Sequence, residues 1–218
     1  ENNIAREPRA PVSAADRSMT FARRASAGGV DPDVTGARLF PEATVLLLRF
    51  TDPMSLAERM DGSESLTTVD AVVSRFEELM AARAVEYMRV KGDEIVCVAG
   101  IDEKLEDHSH LVAELALDDQ DHCTGLFTDL NAHMEFRIGI DRGAAMGSPV
   151  GRARKSYNIW GEAVRFASLM AKTGIPGGIQ VSETAYQHLR ADYLFKGRGR
   201  FYLPGMGEVA TYLLTGKL

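Results

Sequence analysis

Two short apolar runs meet at a Gly-Asp pair. Val85-Glu86-Tyr87-Met88-Arg89-Val90 precedes Gly92-Asp93, and Ile95-Val96-Cys97-Val98 follows it. Strand-like segments parted by so short a turn signal predict a β-hairpin, because glycine reaches backbone angles that other residues resist. Upstream, Thr44-Val45-Leu46-Leu47-Leu48 is a continuous apolar run and reads as a buried central strand.

The remaining segments alternate in kind. From about Ser65 to Ala84, Val69, Val72, Val73, Phe76, Leu79 and Met80 recur at helical spacing. Asp107 to Leu117 and Thr124 to His133 suggest two further helices. Phe136-Arg137-Ile138-Gly139-Ile140 and Ala144-Ala145-Met146-Gly147 suggest a second strand pair. A helix over Ile159 to Lys172 is stopped by Gly174, Pro176 and Gly177. A strand at Ile179-Gln180-Val181, a helix opened by Ser182 and two C-terminal strands follow. This order predicts an α+β sandwich on a ferredoxin-like core, with an antiparallel-rich sheet and helices packed on one face.

Residues 1–40 differ from the rest, with six arginines, no lysine and scattered Pro and Gly. They read as a linker or N-terminal arm, and 41–218 as the folded domain. Arg23-Arg24 reads as a solvated pair. The net charge of −6 argues against nucleic acid as a partner. The two cysteines, Cys97 and Cys123, make neither a disulfide framework nor a zinc spacing, which suits a reduced, cytosolic setting. His108 and His110 read as a surface pair at a helix start, and neither they nor His122 has a third metal ligand in view. No stretch approaches the length of a membrane span. The chain begins with Glu1 and so reads as part of something longer, with any membrane anchor expected in a missing upstream segment.

Several segments together resemble the catalytic domain of class III adenylyl/guanylyl cyclases. Phe40-Pro41-Glu42-Ala43-Thr44-Val45-Leu46 is similar to the entry of that family's first strand. Lys91-Gly92-Asp93-Glu94-Ile95-Val96-Cys97-Val98-Ala99-Gly100 is similar to its central hairpin. Arg137-Ile138-Gly139-Ile140-Asp141-Arg142-Gly143 and Tyr157-Asn158-Ile159-Trp160-Gly161-Glu162-Ala163-Val164 resemble R-I-G-I-H-x-G and Y-D-I-x-G-x-x-V-N. Gly178-Ile179-Gln180-Val181-Ser182 and Gly207-Glu208 to Leu214 match its closing segments. The resemblance implies head-to-tail pairing of two domains. One supplies two aspartates for two divalent metals, and the other supplies base-selecting residues with an Asn and an Arg.

Carried over position by position, the resemblance implies an altered site. The first metal aspartate falls on Arg49, a permanent cation. The phosphate-cradling loop carries Asp52 and Pro53, and Pro53 has no N–H to give. The second metal aspartate survives as Asp93, which reads either as a metal remnant or as the ion-pair partner of Arg49. The pair is expected, because a divalent ion there meets a cation at a cost of several kcal/mol at an effective dielectric of about 20. The base-selecting positions hold Arg89 and Asn158. The transition-state Asn and Arg fall on Arg165 and Leu169, with Arg165 read as a surface arginine, and a phosphate-binding lysine falls on Pro204.

The expectation is a cyclase homology domain used for dimerisation and signal coupling, with no cofactor of its own. The rival readings are an active cyclase, with Mg or Mn and ATP or GTP and Asp52 as a displaced ligand, and a regulatory module holding a small-molecule ligand in the emptied cleft. The expected partner is a second copy or a related cyclase domain. Trp160 reads as interface or core packing, and the basic stretch from Gly151 to Ser156 suggests a contact weakened by salt.

Overall fold

The computed structural model describes residues 36–51, 62–83, 85, 87–101, 107–129, 134–151, 156–203 and 207–218. In chain order the elements are β1 (Arg38–Phe50), α1 (Gly62–Ala82), β2 (Tyr87–Lys91), β3 (Glu94–Ala99), α2 (His108–Asp129) and β4 (Phe136–Val150). Next come β5 (Ser156–Gly161), α3 (Glu162–Thr173), β6 (Ile179–Ser182), α4 (Glu183–Leu189), β7 (Tyr193–Leu203) and β8 (Gly207–Lys217). The strands form one sheet in the order β2-β3-β1-β4-β6-β8-β7, with β5 paired to β4 off this path. The α+β architecture expected from the sequence is therefore present. Among the described residues no helix is long and apolar enough to cross a membrane.

The sheet is antiparallel-rich as expected: β4 and β6 run parallel, while the other pairings are antiparallel. A parallel pair needs a crossover connection, which β5 and α3 supply. Other details differ from the sequence expectation. The helices occupy both faces. Val72 and Phe76 of α1, Val112 and Leu115 of α2, and Ala185 and Leu189 of α4 share a core with Leu46, Leu48 and Phe50. Ala163, Ala167 and Ala171 of α3 pack with Val45 and Leu47 on the other side. Strand β1 begins at Arg38, ahead of Pro41, and its register with β4 shifts between Phe40 and Ala43. An irregularity of that kind tolerates a proline without a ladder donor.

The segments expected as a strand pair, Phe136–Ile140 and Ala144–Gly147, are one strand, β4, and its partner is β5. Asp141-Arg142-Gly143 reads as a turn, but distant partners hold it extended. Asp141 Oδ1 accepts from Ser182 Oγ and, at 2.7 Å, from Thr184 Oγ1. Arg142 donates to Ser109 Oγ and to Glu42 Oε2, each at 2.7 Å. The helix expected from Ile159 begins instead at Glu162, because Ile159 is already paired with Gly147 in β5. One close approach fixes α3 on the sheet. A Cβ on Gly139 of β4 would lie 2.1 Å from the Ala167 carbonyl oxygen, so only glycine fits.

The two helices expected over 107–117 and 124–133 are a single helix, α2. The polar run Asp118-Asp119-Gln120-Asp121-His122 suggests a break, yet Leu115, Asp119, Cys123 and Phe127 form one buried stripe at i, i+4 spacing. Asp119 is 2% exposed, and its Oδ2 has no hydrogen-bond partner among the described residues. Burial, abetted by Asp118 and opposed by Arg83 and Arg75, pushes its carboxyl up to about 8. The buried thiols of Cys97 and Cys123 lie in its field, and burial raises both.

The folded chain therefore holds this proton more tightly than the unfolded chain, whose carboxyl titrates near ~4. The contribution of Asp119 to stability is full below that value and is lost as pH rises through about 8. Asp119→Asn should accordingly gain on the wild type between about pH 5 and about pH 9. Thermal melts across that range test this, and a gap in Tm that stays constant with pH contradicts it.

Candidate functional site

The site expected from the sequence lies where β1 ends beside the β2–β3 turn. The cross-strand register places Arg49 opposite Glu94 of β3 on one side and Arg137 of β4 on the other. Gly92, at φ 60°, closes the turn, and the Phe50 N–H donates to the Asp93 carbonyl at 3.0 Å. A positive φ at the first residue of a two-residue turn is what glycine permits without strain.

Within this frame Arg49 Nε donates to Asp93 Oδ2 at 3.0 Å, and Arg49 Nη1 lies 3.8 Å from Glu94 Oε1. The Arg49 and Asp93 side chains are 36% and 28% exposed. Arg137 is engaged elsewhere, by the Gly174 carbonyl at 3.2 Å and Glu135 Oε2 at 3.0 Å. The carboxylate that the resemblance assigns to a metal thus faces a guanidinium. Among the described residues no group of three or more His, Cys, Asp or Glu could hold a metal ion. A divalent ion such as Mg²⁺ takes oxygen ligands and is repelled by a fixed cation among them. The donor set among the described residues does not fit the paired metals that the family implies.

The other expected positions lie apart from this cluster. Arg165, on α3, is half exposed, with Nη2 3.7 Å from Glu162 Oε1 and its guanidinium 5.6 Å from the Phe166 ring centroid. Leu169 is half-buried one turn further on. Arg89 is exposed on β2, and Asn158 is half-buried on β5, its Oδ1 without a partner among the described residues. Neighbours of these two residues meet: Tyr87 and Tyr157 pack edge to face with centroids 6.5 Å apart. Trp160 is 44% exposed on β5, just ahead of α3, and so is not core packing. Asp52, Pro53, Pro204 and 152–155 lie outside the described residues.

A second polar cluster escaped the sequence reading. His108 is buried rather than a surface residue, with Nδ1 2.8 Å from Thr44 Oγ1, which in turn lies 2.9 Å from Ser109 Oγ. The helix start is drawn in because the His108 ring lies flush against Gly100, where a Cβ would come within 2.9 Å. Burial, together with the Arg142 charge, pushes His108 down to about 4. His110 stays at the surface between Asp107 and Asp192. Those carboxylates outweigh its partial burial and raise it. The periodicity of a helix start carried no sign of His108's inward turn, and the nearest signal was the hydroxyl of Thr44 inside an apolar strand.

The comparisons with known proteins bear on the family and the fold. The model of the adenylate and guanylate cyclase catalytic domain matches residues 37–216. The "Adenylate cyclase" of Mycobacterium tuberculosis is 31% identical over 181 residues, which is 82% of this chain and 40% of that protein. This chain therefore spans under half the length of that relative. Among solved structures, the guanylate cyclase domain of RhGC from Catenaria anguillulae, in complex with GTP, superposes with a TM-score of 0.76 at 21% identity, covering 83% of this chain and all of that one. A non-canonical dimeric guanylyl cyclase domain of the RhoGC fusion protein from the aquatic fungus Blastocladiella emersonii gives 0.71 at 18% identity, covering 83% and 99%. At such identities the structural likeness is one of fold. The chain belongs to the adenylate and guanylate cyclase catalytic domain family.

The Arg49–Asp93 contact should be measurable as a coupling. A double-mutant cycle of Arg49→Ala and Asp93→Ala in urea melts is expected to give about 0.5–1 kcal/mol, as for a partly exposed pair, shrinking at high salt. A coupling of zero at low salt contradicts the geometry.

Proposed function

We propose that this chain is a class III cyclase homology domain that does not cyclise nucleotides and serves dimerisation and signal coupling. The observation that carries this is the Arg49–Asp93 contact at 3.0 Å, in which a guanidinium stands where the family places a metal-binding carboxylate. The second half of a shared site is altered as well, since Arg165 and Leu169 replace the Asn and Arg that steady the transition state in the resemblance. Because the changes fall on both halves, a pair of identical chains has no complete site. An intact partner restores neither.

In an activity assay, the purified chain with Mn²⁺ or Mg²⁺ is expected to make neither cAMP from ATP nor cGMP from GTP above an Asp93→Ala control. Arg49→Asp alone is expected to remain silent, because Arg165 and Leu169 are still in place. Turnover above that control overturns the reading.

The pairing surface of this reading runs from the β2–β3 hairpin to β5 and the start of α3. Val90, Tyr157 and Trp160 are large apolar residues exposed there, at 44%, 39% and 44%. Aromatic side chains of this kind anchor interfaces when a partner covers them. The partner is a second copy or a related cyclase domain. Trp160→Asp is expected to weaken self-association at least about tenfold in sedimentation experiments, the loss of roughly 1.4 kcal/mol typical of an anchor. An unchanged dissociation constant removes Trp160 from the interface.

A further inference from the structure

We propose that the Arg49 guanidinium stands in for a metal ion: it fastens the end of β1 to the β2–β3 turn and makes the domain indifferent to divalent cations. The inference rests on the reading above that this site is not catalytic, and it adds what Arg49 does there instead.

The charges set the argument. Asp93 and Glu94 are consecutive, and their carboxylates lie on the same side of the turn, within 3.0 Å and 3.8 Å of Arg49. Two such neighbours repel unless a cation sits against them. A protein can hold a dissociable ion there or provide a cation of its own. Among the described residues, the cation within 4 Å of either carboxylate is Arg49, while Arg137 on the adjoining strand is held by Glu135 and Gly174.

The strand register explains why arginine suits the task. Arg49 lies opposite Glu94 in the β1–β3 ladder and one residue from Asp93, so a planar fork can face both carboxylates at once. Its Nε faces Asp93 and its Nη1 faces Glu94, a division of donors that a point charge such as lysine lacks. The next residue, Phe50, is tied by its backbone N–H to Asp93. Side chain and backbone thus clamp the same two segments. A cation attached by a covalent chain does not dissociate and is not removed by a chelator.

The corollary is a latent metal site. With Arg49→Asp the end of β1 offers a third carboxylate beside Asp93 and Glu94, a donor set of the oxygen-rich kind that Mn²⁺ and Mg²⁺ take. The test follows thermal melts and Mn²⁺ binding by electron paramagnetic resonance on the full chain. The wild type is expected to melt at the same temperature in EDTA and in Mn²⁺, and to leave the free Mn²⁺ signal unchanged. Arg49→Asp is expected to melt lower in EDTA and to recover by about 5–10 °C at a hundredfold excess of Mn²⁺ over its Kd. Adding Asp93→Asn to that variant should abolish the recovery.

A wild type stabilised by Mn²⁺ as strongly as Arg49→Asp overturns the inference, and so does an Arg49→Asp chain that binds no Mn²⁺. If Arg49→Asp does not fold, Arg49→Met leaves Asp93 and Glu94 uncompensated, and its melting temperature is expected to rise with Mn²⁺. A flat response there also overturns the inference. Cyclic nucleotide production, followed on the same samples, separates the two claims. Turnover by the wild type counts against the function proposed above, whereas a Mn²⁺-dependent melting temperature of the wild type counts against the built-in cation. An Arg49→Asp chain that binds Mn²⁺ and makes no product supports both.

Discussion

Strand β1 is paired along both edges, and this double pairing organises the domain. It holds β3 on one side and β4 on the other through continuous ladders over Thr44–Arg49. Along it Leu46, Leu48 and Phe50 enter one core, while Val45 and Leu47 enter the other. Each fully buried aliphatic side chain of this kind contributes roughly 1.5–3 kcal/mol. A slip of one residue would exchange the two sets between faces that are already filled to different depths, so the register is strongly specified. Arg49 is the next residue of the same strand. Its position against Asp93 and Glu94 is therefore inherited from the core.

Several polar groups inside this frame are met by nearby side chains. The Asp141 carboxylate accepts from Ser182 and Thr184 where β6 gives way to α4, and the Ser182 hydroxyl also caps that helix by accepting from the Ala185 N–H at 3.3 Å. Thr44, His108 and Ser109 satisfy one another, and Arg142 joins them to Glu42 at the surface. Asp119 is managed differently, by keeping its proton. These groups explain why the sheet tolerates acidic and basic residues within a strand of fifteen.

What could be read from the sequence was what depends on short spacing. The Gly92-Asp93 hairpin, the apolar strand at Thr44–Leu48, the Ser182 cap and the opposition of Arg49 to Asp93 all follow from residues adjacent in the chain or from the family alignment. What could not be read depends on distant partners. Asp141-Arg142-Gly143 has the composition of a turn and becomes strand only because Ser182, Ser109 and Glu42 arrive from far along the chain. The polar run at 118–122 looks like a helix break until Asp119 is placed between Leu115 and Cys123 on a buried stripe. The inward turn of His108 answers a hydroxyl on β1, 64 residues away. Glu94, the second carboxylate on Arg49, was within reach of the sequence, since the hairpin and the strand alignment together set it opposite that residue.

The contact between Gly139 and α3 bears on how movement can travel through the domain. Helix and strand touch backbone to backbone there, with no side chain between them to tilt or compress. A packed interface without such a cushion transmits displacement instead of absorbing it. Trp160 and Arg165 sit at the start of that helix, so a displacement there is carried to β4 through this contact. The sheet, in this sense, is the beam and α3 the bracket bolted to it.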